Sequence, residues 1–480
     1  MLQSPILIRP SLRERRNLLF RIFLALLFCA ALPLRDAESP AFPLDFNTFK
    51  LGSDQKGVLI VGGIQGDEPG GFSAATLLAT RYEIKKGALW VVPNLNFPSI
   101  IKRSRGLHGD MNRKFLHLDE KDPEFATVRK IQEIISSPDI RLVLNLHDGS
   151  GYYRPEYEDK MKNPRRWGQS IIIDQERLDD ALPLGDLAAI ANSVAEKVNA
   201  SLLKPIHAIH VRNTRTAEGD REMEKSLSYF AVRKGKAAFG LEATKDAPVA
   251  ARAYYHLLMV EEFLKKAGIE FSRDFELTEQ GVERALGEDL GVSFADNRIF
   301  LPLENARPSI SSLPLSPQAI SRAITSKPIM AVLPCGKNNE GVCVHYGNRT
   351  LAKIKPEWRK MDEAPLAIPV IIDGKERIAH SGQILDAEKM ALVKKTKGYR
   401  VNAIGWDSGK KDESGEPLLK KNFISAYALD RAGSLYRVEV YRDKKFAGMF
   451  LLRFGKGKAY PVAKKSVLPD IPGRESPLGY

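Results

Sequence analysis

Four short polar segments of the chain carry residue types that bind metals, move protons or hold anions. Gln65 and Glu68 lie in Gly-Ile-Gln-Gly-Asp-Glu-Pro-Gly, where a strand pattern gives way to a helix pattern. His147 lies in Leu-Asn-Leu-His-Asp-Gly, and Glu242 follows the apolar residues Phe-Gly-Leu. Imidazole and carboxylate groups are common zinc ligands, and a carboxylate beside a metal can serve as a general base. These residues therefore suit a metal centre that activates water.

The fourth segment is an arginine-rich loop over 103–115, with the sequence Arg-Ser-Arg-Gly-Leu-His-Gly-Asp-Met-Asn-Arg-Lys-Phe. Guanidinium groups bind carboxylates through two parallel hydrogen bonds, so Arg105 and Arg113 indicate an anion site. Three of the four segments also have an interpretation without chemistry. The arginines could lie on a solvated surface, Glu68 could complement a helix N-terminus, and a single histidine after a strand is often structural.

The elements around these residues alternate between strands and helices. Strand patterns occur at 57–63, 88–93, 141–146 and 237–241, and helix patterns at 69–81, 124–136, 187–202 and 249–267. Such alternation predicts an α/β domain, with a mixed, mostly parallel sheet and helices on both faces. Open sheets of this class bind ligands at the carboxyl ends of their strands, which is where the polar segments lie.

After about residue 290 the pattern changes to short strand-like runs separated by prolines. We therefore predict a catalytic domain over 38–268, a β-rich domain over 269–360 and a β-sandwich-like domain over 361–480. Cys335 and Cys343 flank a turn-like segment in the second of these. A disulfide between them is feasible in an oxidising compartment, and two free thiols are equally compatible with the sequence.

Residues 1–37 have the features of a secretory signal peptide. Several arginines precede an apolar run over 22–34, whose length of about 13 residues is short for a membrane span. Cleavage after Ala37 is plausible, and an uncleaved anchor is the alternative. No other stretch of the sequence is long and apolar enough to span a bilayer, so we expect the rest of the chain to be soluble in the periplasm.

The formal net charge is +14, and the six arginines and two acids of residues 1–37 account for four of these charges, leaving +10. An exported basic protein suits an acidic partner, such as a cell-wall polymer with many carboxylates, and nucleic acid is not expected there. Lysines scattered over solvated faces would explain much of the charge equally well.

The order of these motifs, over roughly residues 55–265, resembles that of the zinc metallocarboxypeptidases. It is most similar to the peptidoglycan D,L-carboxypeptidases that determine cell shape in curved and helical Gram-negative bacteria. The shared features are Gln-x-x-Glu in place of His-x-x-Glu, the run His-Gly-Asp-Met-Asn-Arg-Lys-Phe, the segment His-Asp-Gly-Ser-Gly-Tyr-Tyr, and two β-rich domains after the catalytic one.

The resemblance implies a role for each site residue. It implies zinc binding by three side chains: Gln65, Glu68 and His147. Glu242 would be the general acid and base, and Arg105 would stabilise the oxyanion. Asn112 and Arg113 would hold the terminal carboxylate of the substrate. Trp167 would contact the substrate, although a partly buried loop aromatic is an equal alternative.

The implied reaction is removal of meso-diaminopimelate from muropeptide tripeptide stems, which leaves dipeptides and influences cell shape. Two alternatives are a wall-binding protein with a degenerate site and a zinc deacylase of small amino-acid amides. The neutral amide of Gln65 favours the first of these alternatives and predicts weaker metal affinity than a histidine would give.

Overall fold

The computed structural model describes most of the chain: residues 44–53, 56–178 and 184–458. The predicted signal peptide and residues 459–480 of the predicted last domain lie outside the described residues. From Leu44 onward the chain forms one compact unit. Among the described residues, no helix has the length and apolar character needed to cross a bilayer.

The first part of the chain alternates strands with helices. The strands are β1 (Phe49–Gly52), β2 (Gly57–Val61), β3 (Tyr82–Lys86), β4 (Ala88–Val92), β5 (Ile140–Gly149), β6 (Tyr152–Tyr153), β7 (Lys162–Asn163), β8 (Ser170–Ile173), β9 (His210–Asn213), β10 (Ala237–Thr244) and β11 (Glu270–Arg273). The helices are α1 (Pro69–Arg81), α2 (Phe97–Lys102), α3 (Phe125–Ser136), α4 (Leu187–Asn199), α5 (Leu227–Arg233), α6 (Val249–Lys266) and α7 (Glu279–Gly287).

A seven-stranded sheet with the order β1-β4-β2-β5-β10-β8-β9 forms the centre of this part. The central strands β4, β2, β5 and β10 are parallel, whereas β1 and β8 are antiparallel to their inner neighbours. Every residue of β2 and β10 is buried, which requires cover on both faces of the sheet. The predicted α/β class with a mixed, mostly parallel sheet is confirmed.

Two glycines allow α1 to approach β5 closely. A Cβ atom on Gly71 would lie 2.7 Å from the carbonyl oxygen of Leu146, and one on Gly70 would lie 2.4 Å from Asp148 Oδ1. Pro69 begins the helix, where its missing N–H costs nothing. The close approach brings Glu68, the residue that precedes α1, against the carboxyl end of β5.

Several boundaries differ from the predicted ones. The strands β5 and β10 continue to Gly149 and Thr244, so His147 and Glu242 lie within the strands and not after them. The apolar pattern ends earlier because the polar side chains of the last residues are accommodated in the site. Helix α4 ends at Asn199 and not at residue 202.

The remaining strands form small sheets: β12 (Gly291–Phe294), β13 (Ile299–Pro302), β14 (Ser309–Leu315), β15 (Ile324–Thr325), β16 (Met330–Cys335), β17 (Gly341–Tyr346), β18 (Arg349–Trp358), β19 (Ala367–Ile372), β20 (Lys375–His380), β21 (Ile384–Ala387), β22 (Met390–Val393), β23 (Tyr399–Ala403), β24 (Leu418–Leu419), β25 (Leu435–Arg442) and β26 (Lys445–Phe454). The short helix α8 (Pro317–Ser321) lies among them. These strands and small sheets confirm the β-rich character predicted for the C-terminal half.

The last part contains two four-stranded sheets, β20-β19-β22-β24 and β21-β26-β25-β23, which share one apolar core. Earlier in the chain, a disulfide joins Cys335 to Cys343 across the β16–β17 hairpin, which decides between the two possibilities left by the sequence. The division into three domains stays a prediction. Val282 and Ala285 of α7, beyond residue 268, pack into the core of the large sheet.

Candidate active site

Three of the predicted site residues bring donor atoms together at the carboxyl edge of the large sheet. His147 Nδ1 lies 3.1 Å from Gln65 Oε1 and 3.0 Å from Glu68 Oε2. Gln65 comes from the turn after β2, Glu68 from the residue before α1, and His147 from β5. All three side chains are buried. Their convergence makes this the place where a metal would bind, and their role as ligands stays a prediction.

The donor set fits a zinc ion in number and kind. The donors of a tetrahedral zinc site with bonds of about 2.0–2.1 Å are separated by about 3.3 Å, close to the distances around His147. Across the described residues, no group of three His, Cys, Asp or Glu side chains is arranged to hold a metal. The amide oxygen of Gln65 is the third donor atom at this edge, beside His147 and Glu68.

Glu242 lies beside this donor group because of the sheet register. It is the direct partner of His147 in the parallel pair formed by β10 and β5. Its carboxylate oxygen Oε2 is buried without a hydrogen-bond partner. Burial raises the pKa of Glu242 to about 8; the charge of His147 opposes this shift, and the charges of Glu68 and Asp148 add to it. A buried carboxyl with an unused oxygen is suited to exchanging protons with a reacting group.

Arg113 and Asn112 line the same cleft from the turn after residue 110. Arg113 Nη1 donates to the carbonyl oxygen of Asn112 at 3.0 Å. The other contacts of the guanidinium are long, since Nε lies 3.7 Å from Glu222 and Nη2 lies 4.0 Å from the sulfur of Met223. Asn112 Oδ1 accepts a hydrogen bond from the Leu227 amide, while its Nδ2 faces His147 at 3.5 Å. Arg113 therefore retains donors that can bind a carboxylate.

Asp110 connects Arg105 to the predicted metal ligands, a role that the sequence analysis did not assign. Gln65 Nε2 donates to Asp110 Oδ1 at 2.8 Å, and Arg105 donates to Asp110 Oδ2 from Nε and Nη2. Arg105 Nη1 also lies 3.6 Å from Glu68 Oε1. Burial alone would raise the pKa of Asp110, but Gln65, Arg105 and Arg113 outweigh it and hold this pKa below its usual value. The carboxylate thus turns the Gln65 amide so that Oε1 faces His147.

This geometry makes Asp110 a positioning residue with a measurable effect. Changing Asp110→Asn replaces one of the two carboxylate oxygens by an amide donor, so that Gln65 and Arg105 can no longer both be held. We expect metal affinity or activity to fall about 10–100-fold. The measurement is metal content after dialysis against a competing chelator, together with turnover. Asp119→Asn, an exposed acid of the same loop region, is the matched control. Equal metal retention and turnover in both variants would refute the assignment.

Trp167 lines the cleft, half-buried, and the Arg212 guanidinium lies 3.8 Å above its ring. Arg212 comes from β9, and the sequence analysis did not include it among the candidate site residues. The stack fixes the indole at the wall of the cleft, where it can contact a substrate. A substrate contact by Trp167 stays a prediction.

A buried network lies behind His147. Asp148 accepts hydrogen bonds from the Gly70 amide at 2.8 Å and from Arg252 at 3.1 Å, and its other oxygen lies 3.1 Å from His256 Nε2. Burial alone would raise the pKa of Asp148, but these partners outweigh it and lower the pKa. The sequence showed no partner for His256, and the structure corrects this because the two residues are 108 positions apart.

The cleft formed by these residues has a volume of ≈ 270 Å³. It brings together all of the predicted site residues: Gln65, Glu68, Arg105, Asn112, Arg113, His147, Trp167 and Glu242. Lys245 also lines it, 2.8 Å from Asp67 and 3.5 Å from Glu68, and was missed although it follows Glu242 by three residues. One cleft therefore contains the residues predicted to bind a metal, to transfer protons and to bind a carboxylate.

Two protein-family models match the chain. A model of the catalytic part of carboxypeptidases controlling helical cell shape matches residues 47–286. A model of the C-terminal domain of metallo-carboxypeptidases matches residues 361–455. No curated protein matches the chain.

Solved structures of the cell shape determinant protein from Helicobacter pylori are similar over most of the chain. The product-bound form is 37% identical with a TM-score of 0.79, and covers 86% of this chain and 100% of its own. The tripeptide-bound form is 36% identical with the same TM-score and coverage. The form bound to mDAP, described as a D,L-carboxypeptidase, is 38% identical with a TM-score of 0.77, and covers 84% of this chain and 97% of its own.

Proposed function

Because the chain belongs to the family of carboxypeptidases that control helical cell shape, we propose that it removes meso-diaminopimelate from peptidoglycan tripeptide stems and leaves dipeptides. It is a metallocarboxypeptidase with peptidoglycan D,L-carboxypeptidase function in cell shape. The tripeptide and mDAP bound to the Helicobacter pylori relative support this choice of substrate. The proposal rests on one observation: a single cleft contains the three predicted metal ligands together with Glu242 and Arg113.

The metal that we propose is zinc, held by the donor atoms of Gln65, Glu68 and His147. A zinc ion held by three protein ligands would supply Lewis acidity toward the scissile carbonyl and would lower the pKa of a water molecule. Asp110 holds Gln65 in the orientation needed for binding, and the Asp148 network supports the strand that carries His147.

In this proposal Glu242 transfers protons and Arg105 stabilises charge. In its ionised form, which a neighbouring cation would favour, Glu242 takes a proton from the attacking water and returns it to the leaving amine, using the oxygen that has no partner. Arg105 lies beside Glu68, where its charge stabilises negative charge that develops on the carbonyl oxygen. Its position is fixed in advance by Asp110, so little reorganisation is needed during the reaction.

Arg113 and Asn112 make the enzyme an exopeptidase in this proposal. The guanidinium binds the free terminal carboxylate of the stem, and an internal bond lacks that group. Trp167 forms part of the wall along which the rest of the substrate lies. We place the reaction in the periplasm, reached through the signal peptide predicted over residues 1–37.

The decisive experiment uses protein that lacks residues 1–37 and defined muropeptides, with the products identified by mass. We expect tripeptide muropeptides to lose one diaminopimelate, and a chelator to abolish the loss. Folded protein that binds the cell wall but yields no product from any stem would contradict the proposal and favour the non-catalytic alternative. Release of acyl groups from small amino-acid amides, with no cleavage of stems, would favour the deacylase alternative.

The glutamine ligand leads to a further prediction. Changing Gln65→His replaces a neutral amide oxygen by imidazole, a better zinc donor, and we expect the dissociation constant for zinc to fall by about tenfold or more. Competition with a chromogenic chelator measures this constant. Gln65→Ala is the comparison variant and should bind zinc more weakly than the parent. A histidine variant that holds zinc no more tightly than the parent would refute the role of Gln65 as a ligand.

A further inference from the structure

A second cleft, with a volume of ≈ 560 Å³, lies outside the active site among the C-terminal β-rich elements. Its wall is formed by the β12–β13 turn, helix α8 with the residues that follow it, the segment 359–361 after β18, and the first residue of β26. The cleft therefore lies between the predicted second and third domains, and none of its residues belongs to the active site.

The lining of this cleft is strongly cationic. The positively charged residues are Arg298, Arg322, Arg359, Lys360 and Lys445. Asp296 is the acidic residue of the lining, and its side chain is 76% exposed. The charges of this cleft therefore sum to strongly positive, in contrast to the mixed charges of the active site.

Two of the five cations have partners within the protein. Arg359 pairs with Glu357, and Arg298 donates to the carbonyl oxygens of Ala295 and Glu363. In the part of the chain that the structure describes, no carboxylate lies within ion-pair distance of the other three. These three cations are exposed, and we refer to them together as the cationic triad: Arg322, Lys360 and Lys445.

The backbone holds the triad on fixed elements. Phe446 N donates to Lys360 O at 2.9 Å, and Asp362 N donates to Phe446 O at 2.8 Å, so the start of β26 pairs with the segment that carries Lys360. Arg359 N donates to Leu315 O at 2.9 Å, which ties the same segment to the residues before α8. Like charges held close together destabilise the folded state unless an anion neutralises them.

We propose that this cleft is a second, non-catalytic site that binds the carboxylates of peptide stems along the peptidoglycan strand. The inference rests on the proposed function, because that function makes a polymer with repeated carboxylates the substrate. Arginine and lysine donors bind carboxylates through charge-assisted hydrogen bonds. A second contact with the same polymer raises the effective concentration of stems near the active site without altering the chemistry there.

The test compares binding of the full chain to insoluble, peptide-bearing peptidoglycan. All proteins carry Glu242→Gln so that stems are not trimmed during the assay. We expect the triple change Arg322→Gln, Lys360→Gln and Lys445→Gln to weaken binding by about tenfold at low salt, and the difference to shrink as salt is added. The matched control changes an arginine and two lysines elsewhere on the surface: Lys375→Gln, Arg377→Gln and Lys421→Gln.

Two further binding measurements, on stripped glycan and on anionic vesicles, distinguish stem carboxylates from other possible ligands of the triad. On glycan strands stripped of their peptides, the difference between the triad variant and the control should disappear. Equal retention of both variants on intact peptidoglycan would overturn the inference. A triad-dependent difference that persists on stripped glycan, or that occurs only with vesicles of anionic phospholipid, would also overturn it.

Activity distinguishes this inference from the proposed function. With Glu242 intact, the triad variant should cleave a soluble tripeptide muropeptide with the same kcat/KM as the parent, because none of the three residues lines the active-site cleft. Absence of cleavage by the parent would count against the proposed function. Active protein whose binding to the polymer is unaffected by the triad would refute the second site alone.

Discussion

Replacing Glu242 by glutamine should lower kcat for tripeptide cleavage by about 10²–10⁴-fold while the bound metal is retained. The change preserves the size of the side chain and removes its ability to accept and return a proton. Because Glu242 is not among the three predicted metal ligands, which are Gln65, Glu68 and His147, the metal content should equal that of the parent. Single-turnover cleavage and metal analysis on the same preparation measure both quantities.

The control for this variant is Glu218→Gln, an exposed carboxylate outside the cleft that should leave kcat unchanged. Loss of metal together with activity in the Glu242 variant would mean that the residue acts in binding and not in proton transfer. Retention of more than about one tenth of the parent's kcat would exclude it as the general acid and base.

The second large effect is expected at Arg113. Changing Arg113→Gln removes the guanidinium proposed to bind the terminal carboxylate, and the loss of a charge-assisted pair should reduce kcat/KM by about 10²–10³-fold. The reduction applies to stems with a free terminal carboxylate. With a stem whose terminal carboxyl is amidated, parent and variant should be similarly poor, because the partner of the guanidinium is absent.

Arg103→Gln is the matched control, since Arg103 lies in the same loop but does not line the cleft. It should cleave both substrates as the parent does. If the Arg113 variant loses as much activity on the amidated stem as on the free one, the residue supports the loop and does not recognise the carboxylate.

The elements that carry the site could be predicted because their signals are local. The apolar run before His147 and the proline at the start of α1 each depend on neighbouring residues, and so does the change from strand to helix after Gln65. The register that pairs His147 with Glu242 could not be predicted, because it joins residues 95 positions apart through the order of strands in the sheet.

The supporting contacts were missed for the same reason. Asp110 contacts Gln65 across 45 positions, and Asp148 contacts His256 across 108. A sequence pattern contains no information on such pairs unless a motif marks them. Asp110 could have been suspected, since it stands in the arginine-rich run, whereas Arg212 lies in a short strand without an apolar pattern.

The pairing of His147 with Glu242 also has a consequence for dynamics. Neighbouring strands are held about 4.8 Å apart by their ladder of backbone hydrogen bonds. The sheet itself therefore fixes the distance between the backbone positions of Glu242 and His147. Central buried strands open only in the rarest, nearly global unfolding events, and their amides exchange with solvent most slowly. The residues proposed to hold the substrate, Asn112 and Arg113, lie on a single 3₁₀ turn outside the sheet, and we expect faster exchange there. We therefore expect substrate recognition to tolerate different stems while the geometry of the reacting groups stays constant.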